Sequence, residues 1–522
     1  MRCRVLTLVL LGTGCASAAR TAAIPAPVVE AAPSVGAVTA EELRRDLSAF
    51  ADDSMHGRET GTEDALRAAR FLAARLQQLG LEPAGDSLFM QRVPMRKEPF
   101  GPTTRIVVEQ DGRTRPIAIG TEVVPYLELG PGVPPTKRTA DGEIVFLGYG
   151  LTSASPKRDD FAGLALEGKV VVVVNGAPAG VDSARREQLE SQAAISERLT
   201  RILPQRPAAV IVLLAGKGHE LFDQTAPQLQ RAVALRTSAP EIPENERVIP
   251  MIMLGVPTVG SPLLPAAWPT DDRAQLLRGR VLHAKVEQVK TPITGYNVAA
   301  IVRGSDPALR NTFVAFGAHY DHIGILPAVA GDSIANGADD DGSGSMALLA
   351  IARVMQQAPV KPLRSTLFVW HVGEEKGLLG STYFTEHATV PIDSIVAQIN
   401  ADMIGRNAES LLYLVGPLAA PNGQSKRLGA IVDSVNAAST PPFAINREWD
   451  SATHPEHTYE RSDHFSYARK GIPIVFLTTG LHDDYHKVSD DVRRIDFAKL
   501  ARVTRLLVDV GRAVANSPQR PR

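Results

Sequence analysis

Hydrophobic positions in the first half of the chain follow two different spacings. Apolar residues recur every three or four positions over residues 41–50 and 62–79, which predicts two amphipathic helices, and Gly80 supplies a C-terminal stop for the second. Residues 103–125 alternate between polar and apolar instead, and they predict strands. From about 140 to 285, short apolar runs predict further strands, so we interpret this part as a β-rich inserted module.

From Tyr296 onward the pattern changes to strands that alternate with helices. The strands are predicted at residues 298–302, 313–319, 365–371, 395–402, 411–415 and 472–477. The helices are predicted at residues 343–357, 425–437 and 497–514. Because such alternation is typical of an α/β fold, we expect a mostly parallel central sheet with helices on both faces.

The composition fits a globular protein and argues against two classes of partner. The chain has 522 residues, with 56 basic and 57 acidic side chains and a formal net charge of −1. This balance gives no reason to expect a nucleic acid or an anionic membrane surface as the partner. No apolar stretch reaches the roughly 18 residues of a membrane-spanning helix, so no transmembrane span is predicted.

Changes of pattern along the chain predict five parts. They are a signal peptide at 1–19, a disordered Ala- and Pro-rich tether at 20–38, the N-terminal part of a catalytic domain at 39–135, the inserted module at 136–288, and the rest of the catalytic domain at 289–518.

The N-terminus has the features of a secretory signal. Two early arginines precede an apolar run at 5–11 and a small-residue cleavage site at 16–18. Cys15 offers a second interpretation, a bacterial lipoprotein signal with a lipid anchor on this residue, and both interpretations stay open. Either one predicts export, to the periplasm, to the medium or to the outer membrane as a lipoprotein. Cys3 is the one other cysteine, so disulfides, thiolate metal sites and cysteine nucleophiles are not expected in the mature chain.

Potential metal ligands follow one another along the second half of the chain, with an extra carboxylate beside one of them. The ligands are His319, Asp339, Glu375, Asp402 and His486, and the neighbour is Glu374. Imidazoles and carboxylates in this number can hold two divalent cations, and a glutamate outside the ligand set can act as a general base. All except Asp339 lie at or beyond the C-terminal end of a predicted strand, the edge where open α/β sheets bind ligands.

Each of these motifs has an ordinary alternative when it is taken alone. The Asp/Gly loop around Asp339 also suits a helix N-cap or a calcium site, and two adjacent glutamates also suit an exposed loop. Their order among the other ligands favours the metal interpretation. Asp321 lies two residues after His319, on the same side of an extended strand, and we expect it to accept a hydrogen bond from the His319 ring. Ser343 and Ser345 lack a nucleophile-elbow pattern, which argues against a serine hydrolase.

Five short motifs, taken together, resemble the M28 family of zinc aminopeptidases. They are the segments at 319–321 (His-Tyr-Asp), 337–340 (Gly-Ala-Asp-Asp), 373–381 (Gly-Glu-Glu-Lys-Gly-Leu-Leu-Gly-Ser), 402–405 (Asp-Met-Ile-Gly) and 484–486 (Asp-Tyr-His). The match is dense over about 296–490, and residues 57–62 also resemble family members. The inserted module resembles a protease-associated (PA) domain through residues 146–150, 159–161 and 168–172.

The resemblance implies a dinuclear zinc enzyme that removes the N-terminal residue from peptides with a free N-terminus. Asp339 would bridge two zinc ions, about 3.5–4 Å apart as in two-metal hydrolases. The ligands that complete the two sites would be Glu375 with His486, and His319 with Asp402. Glu374 would be the general base and Asp321 would orient His319, while a cis peptide is implied between Asp339 and Asp340.

Four further residues are given supporting roles. Asp463 and Asp490 are expected to support the metal ligands through contacts with them rather than to bind metal directly. His322 and His371 are predicted to be packing or supporting residues.

Three other functions stay open beside the aminopeptidase. A glutaminyl-cyclase-like acyltransferase would share the fold but use one zinc ion. A carboxypeptidase would need a cationic pocket for the substrate carboxylate. A non-catalytic binding protein on the same scaffold is disfavoured, because every ligand and the base are present.

Overall fold

The computed structural model describes residues 37–126, 136–154, 157–236, 250–454 and 457–521. The predicted signal peptide at 1–19, its Cys15 and all but the last two residues of the predicted tether at 20–38 lie outside these ranges. The described α-helices are, in chain order, α1 Ala40–Phe50, α2 Glu63–Gln78, α3 Ser183–Glu190, α4 Gln192–Ile202, α5 Gly218–Gln230, α6 Gly344–Gln357, α7 Leu379–Glu386, α8 Lys426–Ala438, α9 His464–Ala468 and α10 Phe497–Ala515.

The strands divide between two large sheets and two small hairpins. In chain order they are β1 Glu82–Pro83, β2 Met90–Lys97, β3 Arg105–Gln110, β4 Arg113–Pro116, β5 Val123–Tyr126, β6 Lys137–Phe146, β7 Thr152–Ala154, β8 Lys157–Asp159, β9 Val170–Asn175, β10 Ala209–Leu214, β11 Val233–Leu235, β12 Met251–Gly255, β13 Gln275–Glu287, β14 Thr291–Val302, β15 Phe313–His319, β16 Gly324–Val329, β17 Asp332–Ala335, β18 Ser365–His371, β19 Ile395–Ala401, β20 Leu411–Val415, β21 Ala444–Asn446 and β22 Ile474–Thr478.

The first sheet has ten strands and a parallel centre. Its order is β11-β2-β14-β18-β15-β19-β22-β20-β21, with β1 paired to β14. The pairs β18–β15, β15–β19 and β19–β22 are parallel, so these four strands end at one edge of the sheet. His319 lies opposite His371 in this register. Every residue of these four strands is buried and most are apolar, since both faces of the parallel region are covered.

Helices cover both faces of this sheet. On one face of β15, Val314, Phe316 and Ala318 share a core with residues of α1, α2, α6 and α10. On the other face, Phe313 and Ala315 belong to a separate core that includes residues of α7 and α9. The predicted α/β architecture, a central sheet between two layers of helices, is therefore confirmed.

The second sheet has eight strands, in the order β4-β3-β13-β6-β9-β10-β12-β5, and a core of its own. It is built from residues between β2 and β14, which are themselves neighbours in the first sheet. We call this intervening segment, residues 98–290, the insert. The predicted boundary at residue 136 is too late, because β3 at Arg105–Gln110 already pairs with β13 of the second sheet. The short strand β11 leaves the insert and pairs with β2 at the edge of the first sheet.

Within the described ranges, no helix combines the length and the apolar character needed to cross a lipid bilayer.

We expect Phe316→Ala to lower the free energy of unfolding by about 3–5 kcal/mol, because it leaves a cavity in the larger core. Phe316 is 1% exposed, its ring stacks on Phe368 with the centroids 5.5 Å apart, and it lies against Gly511 of α10. Chemical denaturation followed by circular dichroism measures the change. Val360→Ala is the control, since Val360 is 80% exposed and its loss should cost less than about 0.5 kcal/mol. Equal losses in the two variants would contradict the assignment of this core.

Candidate metal centre

The parallel strands of the first sheet bring most of the candidate ligands to one edge. His319 is the last residue of β15, Glu374 and Glu375 follow β18, and Asp402 follows β19. His486 approaches from the loop after β22. Parallel strands present their carboxyl ends together, so residues far apart in sequence meet there.

Asp340, rather than Asp339, lies between the two outer histidines. Its Oδ1 is 3.2 Å from His319 Nε2 and its Oδ2 is 3.2 Å from His486 Nε2. The Asp339 carboxylate points elsewhere, because its Oδ1 accepts a hydrogen bond from the Gly405 amide at 2.7 Å. The expected placement of Asp339 between the candidate ligands is therefore wrong, because it is the next residue, Asp340, whose carboxylate faces both histidines. The cis peptide is displaced in the same way and joins Asp340 to Asp341.

Two groups of ligand atoms share Asp340. In the first, atoms of His319, Asp340 and Asp402 all lie within 4.8 Å of one another, and His319 Nε2 is 3.6 Å from Asp402 Oδ1. In the second, Glu375 lies close to Asp340, and its Oε2 is 3.0 Å from His486 Nε2. The Asp340 carboxylate thus faces one imidazole and one further carboxylate on each of its two sides.

His322 belongs to the second group, although the sequence analysis predicted only a packing or supporting role for it. Its Nδ1 is 2.7 Å from Glu375 Oε1, and its ring lies edge-on to His486 with the centroids 5.8 Å apart. The sequence offered no direct signal for this contact, because Glu375 lies 53 residues further along the chain. A ring nitrogen on one carboxylate oxygen fixes the direction of the other oxygen, so His322 orients Glu375.

Burial and the repulsion between neighbouring carboxylates make it favourable for the site to hold positively charged groups. Burial is the largest influence on the Glu374 carboxyl and raises its pKa well above the ordinary value. Burial also opposes charge on His486, but the facing carboxylates of Glu375 and Asp340 outweigh it and raise the pKa of His486 to about 10. Burial likewise disfavours ionised Glu375, yet His486 and His322 lower its pKa to about 2. The carboxylates therefore stabilise cations placed among them.

The donor set fits zinc. Zinc in proteins is bound by histidine nitrogen and carboxylate oxygen at sites of three or four ligands, and both groups supply these atoms. Asp402 Oδ1 and His486 Nε2 are buried and have no hydrogen-bond partner among the described residues. Buried polar atoms normally find a partner, so these two orphaned atoms suit metal coordination.

The side chain of Asp321 contacts residues 372–378, the loop that carries Glu374 and Glu375, instead of the His319 ring. We call this segment the base loop, after the role expected for Glu374. The ring Nδ1 of His319 is 3.0 Å from the backbone oxygen of Asp321, not from its carboxylate. The carboxylate accepts hydrogen bonds from the amides of Gly373 at 2.8 Å and Glu374 at 3.3 Å, and from the Thr60 hydroxyl at 2.7 Å. The expected side-chain contact between Asp321 and His319 is therefore wrong, although the same residue orients the ring through its main chain.

Asp490 and Asp463 lie behind the ligands. The Asp490 carboxylate accepts hydrogen bonds from the amides of Asp339 and Asp340 at 3.1 Å. These bonds hold residues 339–341, which we call the aspartate turn, against the loop after β22. Asp463 is fully buried, with its Oδ2 3.3 Å from His371 Nδ1. The preceding residue, Ser462, donates to Asp402 Oδ2 at 2.7 Å. Asp490 thus contacts the backbone of the candidate ligands directly, whereas Asp463 contacts His371, and the supporting role of both carboxylates stays a prediction.

An open pocket with an enclosed volume of about 60 Å³ lies beside the ligand groups. Its lining consists of Asp340, Glu374, Asp402, Met403, Trp449, Thr458, Arg461, Phe476, Thr478, Gly480, Leu481 and Tyr485. The acidic residues lie at the metal side, and apolar side chains from three loops and from β22 form much of the remainder. The Tyr485 ring stacks on His486 with the centroids 3.8 Å apart.

Sequence comparison places this site within a peptidase-like region. The model of peptidase family M28 matches residues 297–511. A probable leucine aminopeptidase of Arthroderma benhamiae is 31% identical over 246 residues, which cover 45% of this chain and 62% of the relative. Leucine aminopeptidase 1 of Uncinocarpus reesii is 30% identical over 235 residues, covering 41% of this chain and 53% of the relative. The match thus spans between about half and three-fifths of these relatives.

Solved structures share the fold over nearly the whole chain. An aminopeptidase from Aneurinibacillus sp. strain AM-1 has a TM-score of 0.56 and 19% sequence identity, covering 93% of this chain and 96% of that one. A zinc aminopeptidase from Bacillus subtilis has a TM-score of 0.53 and 16% identity, covering 91% of this chain and 95% of that one. The chain is therefore similar in sequence to M28 peptidases over its ligand-bearing region, and it has the fold of these bacterial aminopeptidases.

Proposed function

We propose that the protein is a dinuclear zinc aminopeptidase that hydrolyses the first peptide bond of peptides with a free N-terminus. The observation that carries the proposal is the Asp340 carboxylate, which presents one oxygen to His319 and the other to His486. A carboxylate in this arrangement can bridge two cations. The names of the similar proteins, leucine aminopeptidases and a zinc aminopeptidase, support the same reaction.

The two groups of ligand atoms would hold one ion each. Asp340 would be a ligand of both ions. The other ligands would be His319 with Asp402, and Glu375 with His486. Zinc bound there would lower the pKa of a water molecule and offset the negative charge that develops on the substrate carbonyl oxygen.

Glu374 is the residue that we assign as the general base. It lines the pocket and its Oε2 is 3.9 Å from His319 Nε2, so it lies beside the first group without belonging to it. Its raised pKa favours acceptance of a proton. Glu374 would take the proton of the attacking water and then deliver it to the leaving amine.

The charge of the pocket suits an ammonium group. Asp340, Glu374 and Asp402 all line it at the metal side, where the free N-terminus of a peptide would gain carboxylate partners. Met403, Phe476 and other apolar side chains line the remainder, which favours an apolar first residue in the substrate. Arg461 also lines the pocket, and it is the one observation that favours the alternative of a carboxypeptidase.

Export and a PA-like identity of the insert complete the proposal. The basic and apolar residues before position 19 support a cleaved secretory signal or a lipoprotein signal with Cys15 as the anchor. Such a protein would act in the periplasm, in the medium or at the outer membrane. The segments at 146–150, 159–161 and 168–172 support the PA-like interpretation of the insert.

We expect Glu374→Gln to lower kcat by about 10²–10⁴-fold while leaving the zinc content at two ions per chain, since the change removes proton transfer but not a ligand. Steady-state kinetics and metal analysis on the same samples test this. Glu386→Gln, an exposed glutamate on α7, is the control and should keep normal kcat. A Glu374→Gln variant with normal turnover would refute the assignment of the base.

A second test compares two adjacent aspartates. We expect Asp340→Asn to lose most bound zinc after dialysis, because the amide is uncharged and an NH2 group, which cannot bind a cation, replaces one carboxylate oxygen. Asp339→Asn should retain both ions, since an amide oxygen can still accept the hydrogen bond from Gly405. Metal analysis measures both variants. Greater zinc loss from Asp339→Asn than from Asp340→Asn would overturn the bridging role of Asp340.

A substrate panel distinguishes the candidate reactions. We expect hydrolysis of leucine p-nitroanilide, no hydrolysis of its N-acetylated form, and loss of activity with a chelator that added zinc restores. The acetyl group removes the ammonium that the pocket carboxylates would bind. Release of the last residue from N-blocked peptides would indicate a carboxypeptidase. Cyclisation of N-terminal glutamine with one zinc per chain would indicate the acyltransferase.

A further inference from the structure

Helix α5 of the insert ends against the loop that carries the two adjacent glutamates. Lys376 directly follows Glu375, and its side chain is only 4% exposed. The Lys376 ammonium donates to Glu59 Oε1 at 3.0 Å and also to Gln228 Oε1. A buried ammonium needs such partners, because desolvation without them is costly. The position of this loop therefore depends on one side chain before the insert and one side chain within it.

The same end of α5 also reaches the segment that contains His322. Arg231 Nη1 lies 3.0 Å from Glu59 Oε2, so Glu59 pairs with a cation on each side. Arg231 Nη2 and Gln228 Nε2 both donate to the backbone oxygen of Ile323, at 3.4 and 3.3 Å. Because Ile323 adjoins His322, the insert contacts the flanks of two segments of the metal centre.

Helix α5 is fixed to the frame of the first sheet. The chain leaves the helix at Arg231, and β11 then pairs with β2 at the sheet edge, with Val233 opposite Lys97. At the other end of the helix, Glu220 forms an ion pair with Lys487, which follows His486. Gln228 is therefore held in a fixed position relative to the strands that carry the ligands.

Glu59 is the central residue of a three-residue segment that contacts three of the loops around the centre. Arg58 is fully buried, and its guanidinium donates to the backbone oxygens of Tyr320 at 2.8 Å and Gly337 at 2.9 Å. Thr60 donates to Asp321, which in turn binds the amides at the start of the base loop. Three consecutive side chains thus fix three loops, and Glu59 is the member that extends this frame to the insert.

We propose that Glu59, Lys376 and Gln228 form a junction through which the insert positions Glu374 for proton transfer. Lys376 and Gln228 are then positioning residues of the reaction, and this inference depends on the role proposed above for Glu374. A general base must lie within hydrogen-bond reach of the proton that it takes, about 2.6–3.2 Å. A displacement of about 1 Å can reduce the rate by about 10²-fold, so loosening the loop should affect the chemical step more than substrate binding.

The test is Gln228→Ala in the full chain loaded with zinc. We expect kcat for leucine p-nitroanilide to fall by about tenfold or more while KM changes less than about twofold, because the base is misplaced and the pocket is intact. Lys376→Met should lower kcat further, again with little change in KM. Lys376→Arg should recover part of kcat because it keeps a donor. Gln205→Ala is the matched control, since this insert glutamine donates only to the Arg201 oxygen among the described residues and should leave kcat unchanged.

Hydrogen exchange of the metal-free protein tests the junction without using activity. Amides of the base loop donate to the backbone oxygens of Gly373 and Glu374, so their exchange reports the order of this loop. We expect faster exchange over residues 372–379 in Gln228→Ala and no change in Gln205→Ala. Unchanged exchange in Gln228→Ala would overturn the proposal even if the enzyme cleaves peptides. Faster exchange with normal kcat would overturn the positioning role, and absence of any peptidase activity in the unaltered protein would instead refute the proposed function.

Discussion

The structure depends on the concentration of negative charge at one buried sheet edge. Asp340, Glu374, Glu375 and Asp402 lie within a few ångströms of His319 and its neighbouring imidazoles. Like charges in a poorly solvated site repel one another, so such a cluster is stabilised by cations among its members or by a proton on a carboxyl group such as Glu374, whose pKa is raised. The surrounding hydrogen bonds serve to hold these carboxylates in place against that repulsion.

The backbone supplies much of that support. Amides at the start of the base loop bind Asp321, amides of the aspartate turn bind Asp490, and the Gly405 amide binds Asp339. Each of these carboxylates is buried and accepts at least one hydrogen bond from a backbone N–H group. Burial nevertheless raises the pKa of Asp321 and of Asp490 to about 6. These backbone contacts distinguish Asp321, Asp339 and Asp490 from the candidate ligands, although all of these carboxylates look alike in the sequence.

The sequence predicted the frame better than the directions of side chains. The strands at 313–319, 365–371 and 411–415 have the predicted bounds, because runs rich in apolar residues mark buried strands. The first two are buried on both faces, and the third is buried mainly on one. Within the aspartate triplet, composition cannot distinguish Asp339 from Asp340, since turn dihedrals decide which carboxylate faces the histidines. The contact of Asp321 with the base loop and that of His322 with Glu375 are likewise long-range features, and one-dimensional periodicity does not encode them.

The central claim is that Asp340 bridges two zinc ions, and anomalous diffraction from crystals of the zinc-loaded protein tests it most directly. The account predicts two zinc peaks, roughly 3.5–4 Å apart, with one Asp340 oxygen directed at each. One peak should adjoin His319 and Asp402, and the other should adjoin Glu375 and His486. A single peak, or two peaks with Asp339 between them, would contradict the account.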